Sequence, residues 1–384
     1  MKVYFDNAAT SVVSDSVIEL MVKTMREDYA NPSAKHTMGI DAERYVREAA
    51  SRIASTLKCS EKEIIFTSCG TESNNMALIG AALARQRAGK HIITTGIEHA
   101  SVYRPLDFLT ELGFELSVLS VDRYGHVDKD ELKSLIRPDT ILVSTMLVNN
   151  EIGAVEPVEE ISGIIKSVNP NTLYHVDAIQ AYGKMRIYPG RMGIDMLSVS
   201  GHKFHGPKGV GFLYIRDGVH IKPILYGGGQ QSDMRSGTIN VPGIAGMGLA
   251  AKEAYDSLDE RVAQMKAVRN HIIEAATDIE GVSVNSSAGD DGAPHIVSIS
   301  VAGVRAEVLL HALEARQIYV SSGSACSSHH PGISGTLKGI GLKSDLLDST
   351  IRVSLDEHNT IEQADYFIDA LKKEIETLRK YARR

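Results

Sequence analysis

The sequence has few cysteines, and it lacks the arrangements in which cysteines cross-link a fold or hold a metal. Only three occur in 384 residues, at Cys59, Cys69 and Cys326. Without a CxxC pair, neither a disulfide framework nor a zinc site is expected, and such sparse usage is typical of a reducing compartment. We therefore expect a cytoplasmic protein with no bound metal.

Long apolar runs, low-complexity tracts and dense stripes of basic residues are also missing. No stretch approaches the roughly 18 apolar residues of a membrane span. The opening "MKVYFDNAATSVVSD" lacks the basic and then apolar order of an export signal. With a net charge of -7, neither membrane insertion nor stable nucleic-acid binding is expected. A chain that is 43% hydrophobic and 23% charged is instead expected to be globular, with one large domain and one smaller domain.

Short apolar, β-branched runs alternate with helical stretches along the first part of the chain. The runs are "EIIFTS", "HIITTG", "ELSVLSV", "TILVSTMLV", "LYHVDA", "MLSVS" and "VGFLYI". Such runs suit strands buried on both faces of a mostly parallel sheet, where ligands gather beyond the carboxyl ends of the strands. The pattern then changes to a long helical segment from about Gly243 to Glu280. We predict an α/β fold, with a large domain over 15–245 and a smaller domain over 1–14 and 246–384.

Polar residues follow several of these runs, and each has both a functional and a structural interpretation. Lys203 in "SGHKFHGPKG" is suited to Schiff-base chemistry if it is poorly solvated, but it can equally be a surface lysine. Asp177 in "YHVDAIQ" can pair with a protonated pyridine nitrogen or cap a helix. The helix start at Gly70 in "TSCGTESNN" can bind phosphate, although Thr71 or Ser73 can simply cap that helix.

Two further strand ends carry His99 in "EHASV" and Asn150 in "VNNEIG". A lone histidine is more often structural than catalytic. Five polar strand ends on one sheet edge, however, would together supply a phosphate cradle, a ring partner and a lysine, which is unusual in a purely structural protein. The combined pattern indicates a site for pyridoxal 5'-phosphate (PLP).

With these motifs in place, the sequence resembles the cysteine desulfurases of the nitrogen-fixation and iron–sulfur-cluster type. These belong to the class V aminotransferase family, which has PLP fold type I. The resemblance covers nearly the whole chain, in the order "YFDNAAT", "NPSAKHTMG", "TSCGTESNN", "EHASV", "VNNEIG", "YHVDAIQ", "SGHKFHGPKGVG", "GGGQQSDMRSGT", "SSGSACSS" and "IRVSL". It implies a large domain with a mostly parallel seven-stranded sheet, and a smaller α+β domain that carries a mobile catalytic cysteine loop at about 321–335.

The resemblance also implies a role for each cofactor residue. Lys203 would form the Schiff base with PLP, Asp177 would pair with the ring nitrogen, and His99 would stack on the ring and shuttle protons. Gln180 would face the phenolic oxygen, and Asn150 would lie near the ring. The phosphate would be held by Gly70, Thr71, Ser200 and His202, joined by Thr238 from the second subunit of a homodimer.

For the substrate, the resemblance implies that Arg352 clamps the carboxylate of L-cysteine through its bidentate fork, with help from Asn31. Cys326 would take the sulfur as a persulfide, release L-alanine and pass the sulfur to an acceptor protein. Because a free thiol with a pKa of about 8.5 is only slightly ionised at neutral pH, a neighbouring base should assist it. His329 and His330 are the local candidates.

The chain departs from the usual family pattern after Cys326, where "SSHHPGISGTLKGIGL" replaces an acidic Leu-Glu-Pro-like segment. The acceptor, whether in iron–sulfur assembly, transfer-RNA thiolation or thiamine synthesis, is left open. Cys69 is interpreted as a packing residue, and Cys59 as a surface or helix-end residue. The alternatives are a selenocysteine lyase or a PLP aminotransferase on the same fold, or a scaffold protein that kept the fold and lost the chemistry.

Overall fold

A computed structural model describes residues 1–322 and 334–382 of the chain. Its strands are β1 (Val3–Tyr4), β2 (Ile64–Thr67), β3 (His91–Thr95), β4 (Glu115–Leu119), β5 (Thr140–Met146), β6 (Leu173–Asp177), β7 (Met196–Ser200), β8 (Gly211–Ile215), β9 (Val282–Val284), β10 (Ile296–Val301), β11 (Ile318–Tyr319), β12 (Ser321–Ser322) and β13 (Thr350–Ser354). Its α-helices are α1 (Asp15–Arg26), α2 (Thr37–Leu57), α3 (Gly70–Arg85), α4 (Ala100–Glu111), α5 (Lys129–Leu135), α6 (Val158–Val168), α7 (Pro189–Met192), α8 (Val241–Asp256), α9 (Leu258–Thr277), α10 (Ala306–Glu314), α11 (Gly335–Gly339) and α12 (Ile361–Ala382).

All seven strands predicted from the apolar runs are present, and they form one sheet in the order β2-β8-β7-β6-β5-β3-β4. Neighbours from β7 to β4 are parallel, whereas β8 is antiparallel to both β2 and β7. Strands β3, β5, β6, β7 and β8 are buried at every position, which explains their continuous apolar sequence. Because β3, β5, β6 and β7 are parallel, their carboxyl ends meet at one edge.

Helices cover the large sheet on both faces and complete its hydrophobic core. Helix α8 packs closely on α2, where Ile244 and Met247 join Ile53 in one cluster of buried side chains. A Cβ added at Gly248 would lie 2.5 Å from the Cα of Ala49, so the close approach of these two helices requires glycine there.

A second unit surrounds a four-stranded antiparallel sheet of order β12-β13-β10-β9. The amino-terminal strand β1 pairs with β11 and brings Phe5 into this unit's core, where its ring meets Phe367 edge-on at 5.8 Å. Helices α9, α10 and α12 complete that core. The amino terminus therefore packs with the carboxyl-terminal part of the chain.

The long helical segment predicted from Gly243 to Glu280 is in fact two helices, α8 and α9, which meet at Ser257. Helix α8 packs on the large sheet, whereas α9 contributes Met265 and Ile272 to the smaller core. The predicted domain boundary at 245/246 lies inside α8 and stays a prediction. Apolar periodicity runs through both helices and does not reveal which core each helix meets.

No helix in the two described ranges combines the length and the apolarity that crossing a membrane requires.

Candidate active site

A cavity of about 230 Å³ lies at the carboxyl edge of the large sheet and is lined by most of the predicted site residues. Those that line it are Gly70, Thr71, His99, Asn150, Asp177, Gln180, Ser200, His202, Lys203 and Arg352. Residues more than 280 positions apart in sequence therefore share one cavity, because strand ends and the β13 strand converge there. Cys326, His329 and His330 lie outside the described residues.

Asp177, the last residue of β6, is a buried carboxylate on the cavity wall and is only 4% exposed. Its Oδ2 accepts a hydrogen bond from Asn74 Nδ2 at 2.8 Å, and its Oδ1 accepts one from the Ile179 main-chain N–H at 3.0 Å. Burial raises the pKa of Asp177, although these hydrogen bonds and the nearby positive charges oppose that shift. A protonated ring nitrogen beside this carboxylate would offset the cost of burying its charge.

A chain of buried side chains links Asp177 to His99. Asn74 Nδ2 also donates to Ser101 Oγ at 2.9 Å, and Ser101 Oγ lies 2.8 Å from His99 Nδ1. The Ser101 main-chain N–H donates to the same Nδ1 at 3.1 Å, so Nδ1 is an acceptor. In neutral His99 the proton therefore resides on Nε2, and the tautomer is assigned from this network.

Asn74 and Ser101 are site residues that the sequence reading missed. Both lie inside the motifs that drew attention to their neighbours, "TSCGTESNN" and "EHASV". The four-residue spacing from Gly70 to Asn74 puts both on one face of α3, which is a signal that could have identified Asn74.

Lys203 ends the short 3-10 turn Gly201–Lys203 that follows β7. Its Nζ donates to the main-chain oxygens of Ala8 and Ala9, at 2.6 and 2.9 Å. Gln180 Nε2 donates to the Ala8 oxygen as well, at 2.9 Å. The "YFDNAAT" segment thus contributes carbonyl oxygens to the lysine, a contact that no side-chain motif reveals.

Another part of the cavity wall is suited to a phosphate group. Helix α3 begins at Gly70 with its free N–H groups, and the Ser200 hydroxyl is buried with no hydrogen-bond partner among the described residues. A Cβ added at Gly70 would lie 2.2 Å from Ile179 Cδ1, so a larger residue would displace its neighbour. Burial, assisted by the charge of Lys203, lowers the pKa of His202 to about 4, so this imidazole is neutral at pH 7.

The charges and hydrogen-bonding groups of these residues fit PLP. The buried Asp177 carboxylate needs a cationic partner, the Ser200 hydroxyl needs a hydrogen-bond partner, and the helix start offers donors to an anion. Lys203 supplies the amine at the same cavity.

The smaller unit contributes Arg352, from β13, to the cavity. Its Nη1 donates to the Asn150 main-chain oxygen at 2.8 Å, and its Nη2 donates to Asp6 Oδ1 at 2.9 Å. Its Nε is buried with no partner among the described residues. Since a guanidinium has five N–H donors, Arg352 retains donors for a carboxylate. Asp6 is a third site residue that the sequence analysis missed.

The described residues on either side of 323–333 contact the surroundings of this cavity. Ser321 in β12 is paired with Arg352 in β13. Ser334 Oγ donates to Glu151 Oε2 at 2.5 Å, and Glu151 directly follows Asn150 in the chain. Both flanks of the segment that contains Cys326 are thus tied to residues next to the site.

Two predicted residues do not line the cavity. Asn31 is exposed, and its Oδ1 accepts a hydrogen bond from the Ser33 N–H at 2.9 Å, so in this chain it stabilises a turn. Its predicted assistance in substrate binding stays a prediction. Thr238 is exposed as well, and its predicted contact with a second subunit stays a prediction.

The two described cysteines differ from each other in their surroundings. Cys69 precedes α3 and lines the cavity. Cys59 follows α2 but packs against the large core, where burial raises the pKa of its thiol to about 12. The expected helix-end position of Cys59 is therefore correct, and the thiol is more buried than a surface residue would be.

Comparisons with known proteins agree with this geometry. The family model described as Aminotransferase class-V matches residues 3–367. A protein named cysteine desulfurase IscS, from Dictyoglomus turgidum, is 42% identical over 379 residues, which cover 98% of this chain and 95% of that protein. A solved structure titled NIFS-like protein has a TM-score of 0.93 and 39% identity, covering 98% of this chain and all (100%) of its own. Another, titled SspA in complex with cysteine, has a TM-score of 0.81 and 34% identity, covering 94% and 100%.

Proposed function

This chain belongs to the aminotransferase class-V family and is a PLP-dependent cysteine desulfurase, and on that premise we propose that Cys326 accepts the sulfur of L-cysteine. One observation carries the cofactor chemistry on which this proposal rests: a single cavity brings Lys203 and Asp177 from the large sheet together with Arg352 from the small sheet. An amine, a ring partner and a carboxylate clamp are the groups that PLP chemistry on an amino acid requires.

The large sheet supplies the groups that hold and activate the cofactor. When bound, PLP supplies an electron sink that weakens the bonds around Cα of an attached amino acid. Asp177 would keep the ring nitrogen protonated, and the start of α3 together with Ser200 would hold the phosphate. Lys203 would hold the cofactor through Nζ, and the same atom is the one that would take the Cα proton of the substrate.

The small sheet supplies substrate recognition. Arg352 pairs with the carboxylate of L-cysteine and thereby fixes the orientation of Cα towards Lys203. His99 carries its proton on Nε2, because Nδ1 accepts from Ser101, and it is placed to donate that proton inside the cavity.

The sulfur transfer itself balances without an added oxidant. The Cys326 thiolate attacks the sulfur of the bound cysteine, a new S–S bond forms and the C–S bond breaks. The electron pair of the broken C–S bond stays with the carbon skeleton, which takes up protons and leaves as L-alanine. The products are a persulfide on Cys326 and alanine, in equal amounts.

We further propose a cytoplasmic homodimer in which Thr238 completes the partner's phosphate site, and an acceptor protein that receives the persulfide sulfur. The exposed position of Thr238 supports the first proposal. The match to proteins named cysteine desulfurase IscS and NIFS-like supports the second.

The test is an anaerobic incubation of the purified holoenzyme with L-cysteine, with alanine quantified and persulfides mapped by mass spectrometry. We expect equal amounts of alanine and of persulfide on Cys326, both lost in Cys326→Ala while the cofactor absorbance is retained. Cys69→Ala is the matched control, since it removes a thiol from the cavity wall, and it should retain both products.

Alanine formation at the wild-type rate by Cys326→Ala would show that another group accepts the sulfur. A parallel incubation with L-selenocysteine separates the lyase alternative, which predicts a strong preference for the selenium substrate. Amino-group transfer to a 2-oxo acid without alanine would favour an aminotransferase.

A further inference from the structure

A buried lysine, Lys184, contacts the turn that carries Lys203. Lys184 is 8% exposed, and its Nζ donates to the main-chain oxygen of Lys203 at 2.6 Å. Gly183 makes this approach possible, because it has a positive φ of 77° and an added Cβ would lie 2.8 Å from the Cβ of Phe204. The chain is thus shaped at this point to bring the Lys184 ammonium to the turn that carries Lys203.

The groups around Lys184 come from several elements, and both signs of charge are present. Glu357 and Asp356 after β13 favour its charged form, whereas Lys203 and Arg261 of α9 oppose it. Burial lowers the pKa of Lys184 to about 8, so most of it is protonated at neutral pH.

The carboxylate of Glu357 does not serve Lys184 alone. Glu357 also lies close to two other basic side chains, since Arg261 Nη2 lies 2.9 Å from Oε1 and His205 Nε2 lies 3.2 Å from Oε2. The field of Lys184 reaches the active site, because it contributes to lowering the pKa values of His202 and His295.

We propose that Lys184 is a positioning residue for Lys203: it fixes the Lys203 main-chain carbonyl by a hydrogen bond and disfavours a second positive charge on the Lys203 nitrogen. The inference rests on the proposed role of Lys203 in holding PLP. A like charge nearby makes protonation of an amine less favourable, so Lys184 keeps the Lys203 nitrogen ready to release and accept its proton near neutral pH.

The test compares Lys184→Met, Lys184→Gln and Lys184→Arg holoenzymes with the wild type. The readout is the pH midpoint of the change in absorbance of the bound cofactor, recorded without substrate. Removing the charge should raise the midpoint by about one pH unit, a roughly tenfold gain in proton affinity. Lys184→Arg keeps the charge and the donor, so its midpoint should stay near the wild-type value. The KM for L-cysteine should be unchanged in all three.

Lys184→Gln keeps a hydrogen-bond donor and loses the charge. It therefore tests the effect of the charge even if Lys184→Met does not fold. An unchanged midpoint in Lys184→Gln would overturn the electrostatic role. Borohydride reduction followed by peptide mapping is run on the wild type in parallel. Failure to find PLP on Lys203 there would overturn the proposed function, whereas PLP on Lys203 with unaltered midpoints would overturn this inference alone.

Discussion

The two sheets contribute polar side chains to the cavity in different ways. The large sheet contributes a connected set of buried polar groups, in which Asp177, Asn74, Ser101 and His99 share hydrogen bonds. The small sheet contributes Arg352, whose partners lie outside its own strand. The difference teaches that most of the cofactor site is built on the large sheet, whereas substrate recognition depends on how the two units meet.

The largest effect should come from Lys203→Ala, which tests whether the large-sheet region carries the chemistry. Loss of the anchoring amine and proton acceptor should lower kcat by at least about a thousandfold. Borohydride reduction should then fix no cofactor to the chain. Lys208→Ala changes an exposed lysine five residues away and should behave as the wild type. If borohydride fixed as much cofactor to the Lys203→Ala variant as to the wild type, Lys203 would not be the residue that holds PLP.

Asp177→Asn comes next, because it keeps the shape of the buried network and removes its charge. Without an anionic partner the ring nitrogen loses its proton, and kcat should fall by about a hundredfold while cofactor remains bound. Steady-state kinetics and the absorbance spectrum are the measurements. Asp217→Asn, at an exposed site after β8, is the control. A kcat within twofold of the wild type would show that Asp177 has only a structural role.

Arg352→Lys tests the small-sheet region alone. A lysine keeps the charge but cannot form the bidentate pair, so the KM for L-cysteine should rise by about tenfold, with a smaller change in kcat. The cofactor spectrum without substrate should not change. Arg305→Lys, at an exposed position of the same unit, is the control. If Arg352→Lys weakened cofactor binding and left the KM for L-cysteine unchanged, the assignment of substrate recognition to the small sheet would be wrong.

The smallest effect is expected from Ser101→Ala, which sharpens the account of the large-sheet network. The main-chain N–H of residue 101 still donates to His99 Nδ1. The preference for the tautomer with the proton on Nε2 is therefore weaker in this variant, but it is not reversed. We expect kcat to fall by about three- to tenfold and the pH profile of kcat to shift, since proton transfer by a positioned group depends on its protonation state. Ser134→Ala on the exposed face of α5 is the control. An unaltered pH profile would remove His99 from the proton-transfer role.

Much of this arrangement could be predicted from the sequence, because the buried parallel strands have continuous apolar runs and their ends carry Asp177, His99 and Lys203. The contacts of the Ala8 and Ala9 carbonyls could not be predicted, since main-chain oxygens leave no side-chain signal. Lys184 was not recognised either, because a buried lysine and a surface lysine look alike until the chain is folded. The break between α8 and α9 was missed for a similar reason: the apolar pattern continues while the core that it faces changes.

The measurement that tests the central claim most directly is rapid mixing of the Cys326→Ala holoenzyme with L-cysteine, with cofactor absorbance and alanine followed together. If cofactor chemistry and sulfur acceptance are separable, the absorbance should change at the wild-type rate while alanine release falls by at least about a hundredfold. Alanine release at the wild-type rate, or an absorbance that does not respond to L-cysteine, would contradict it.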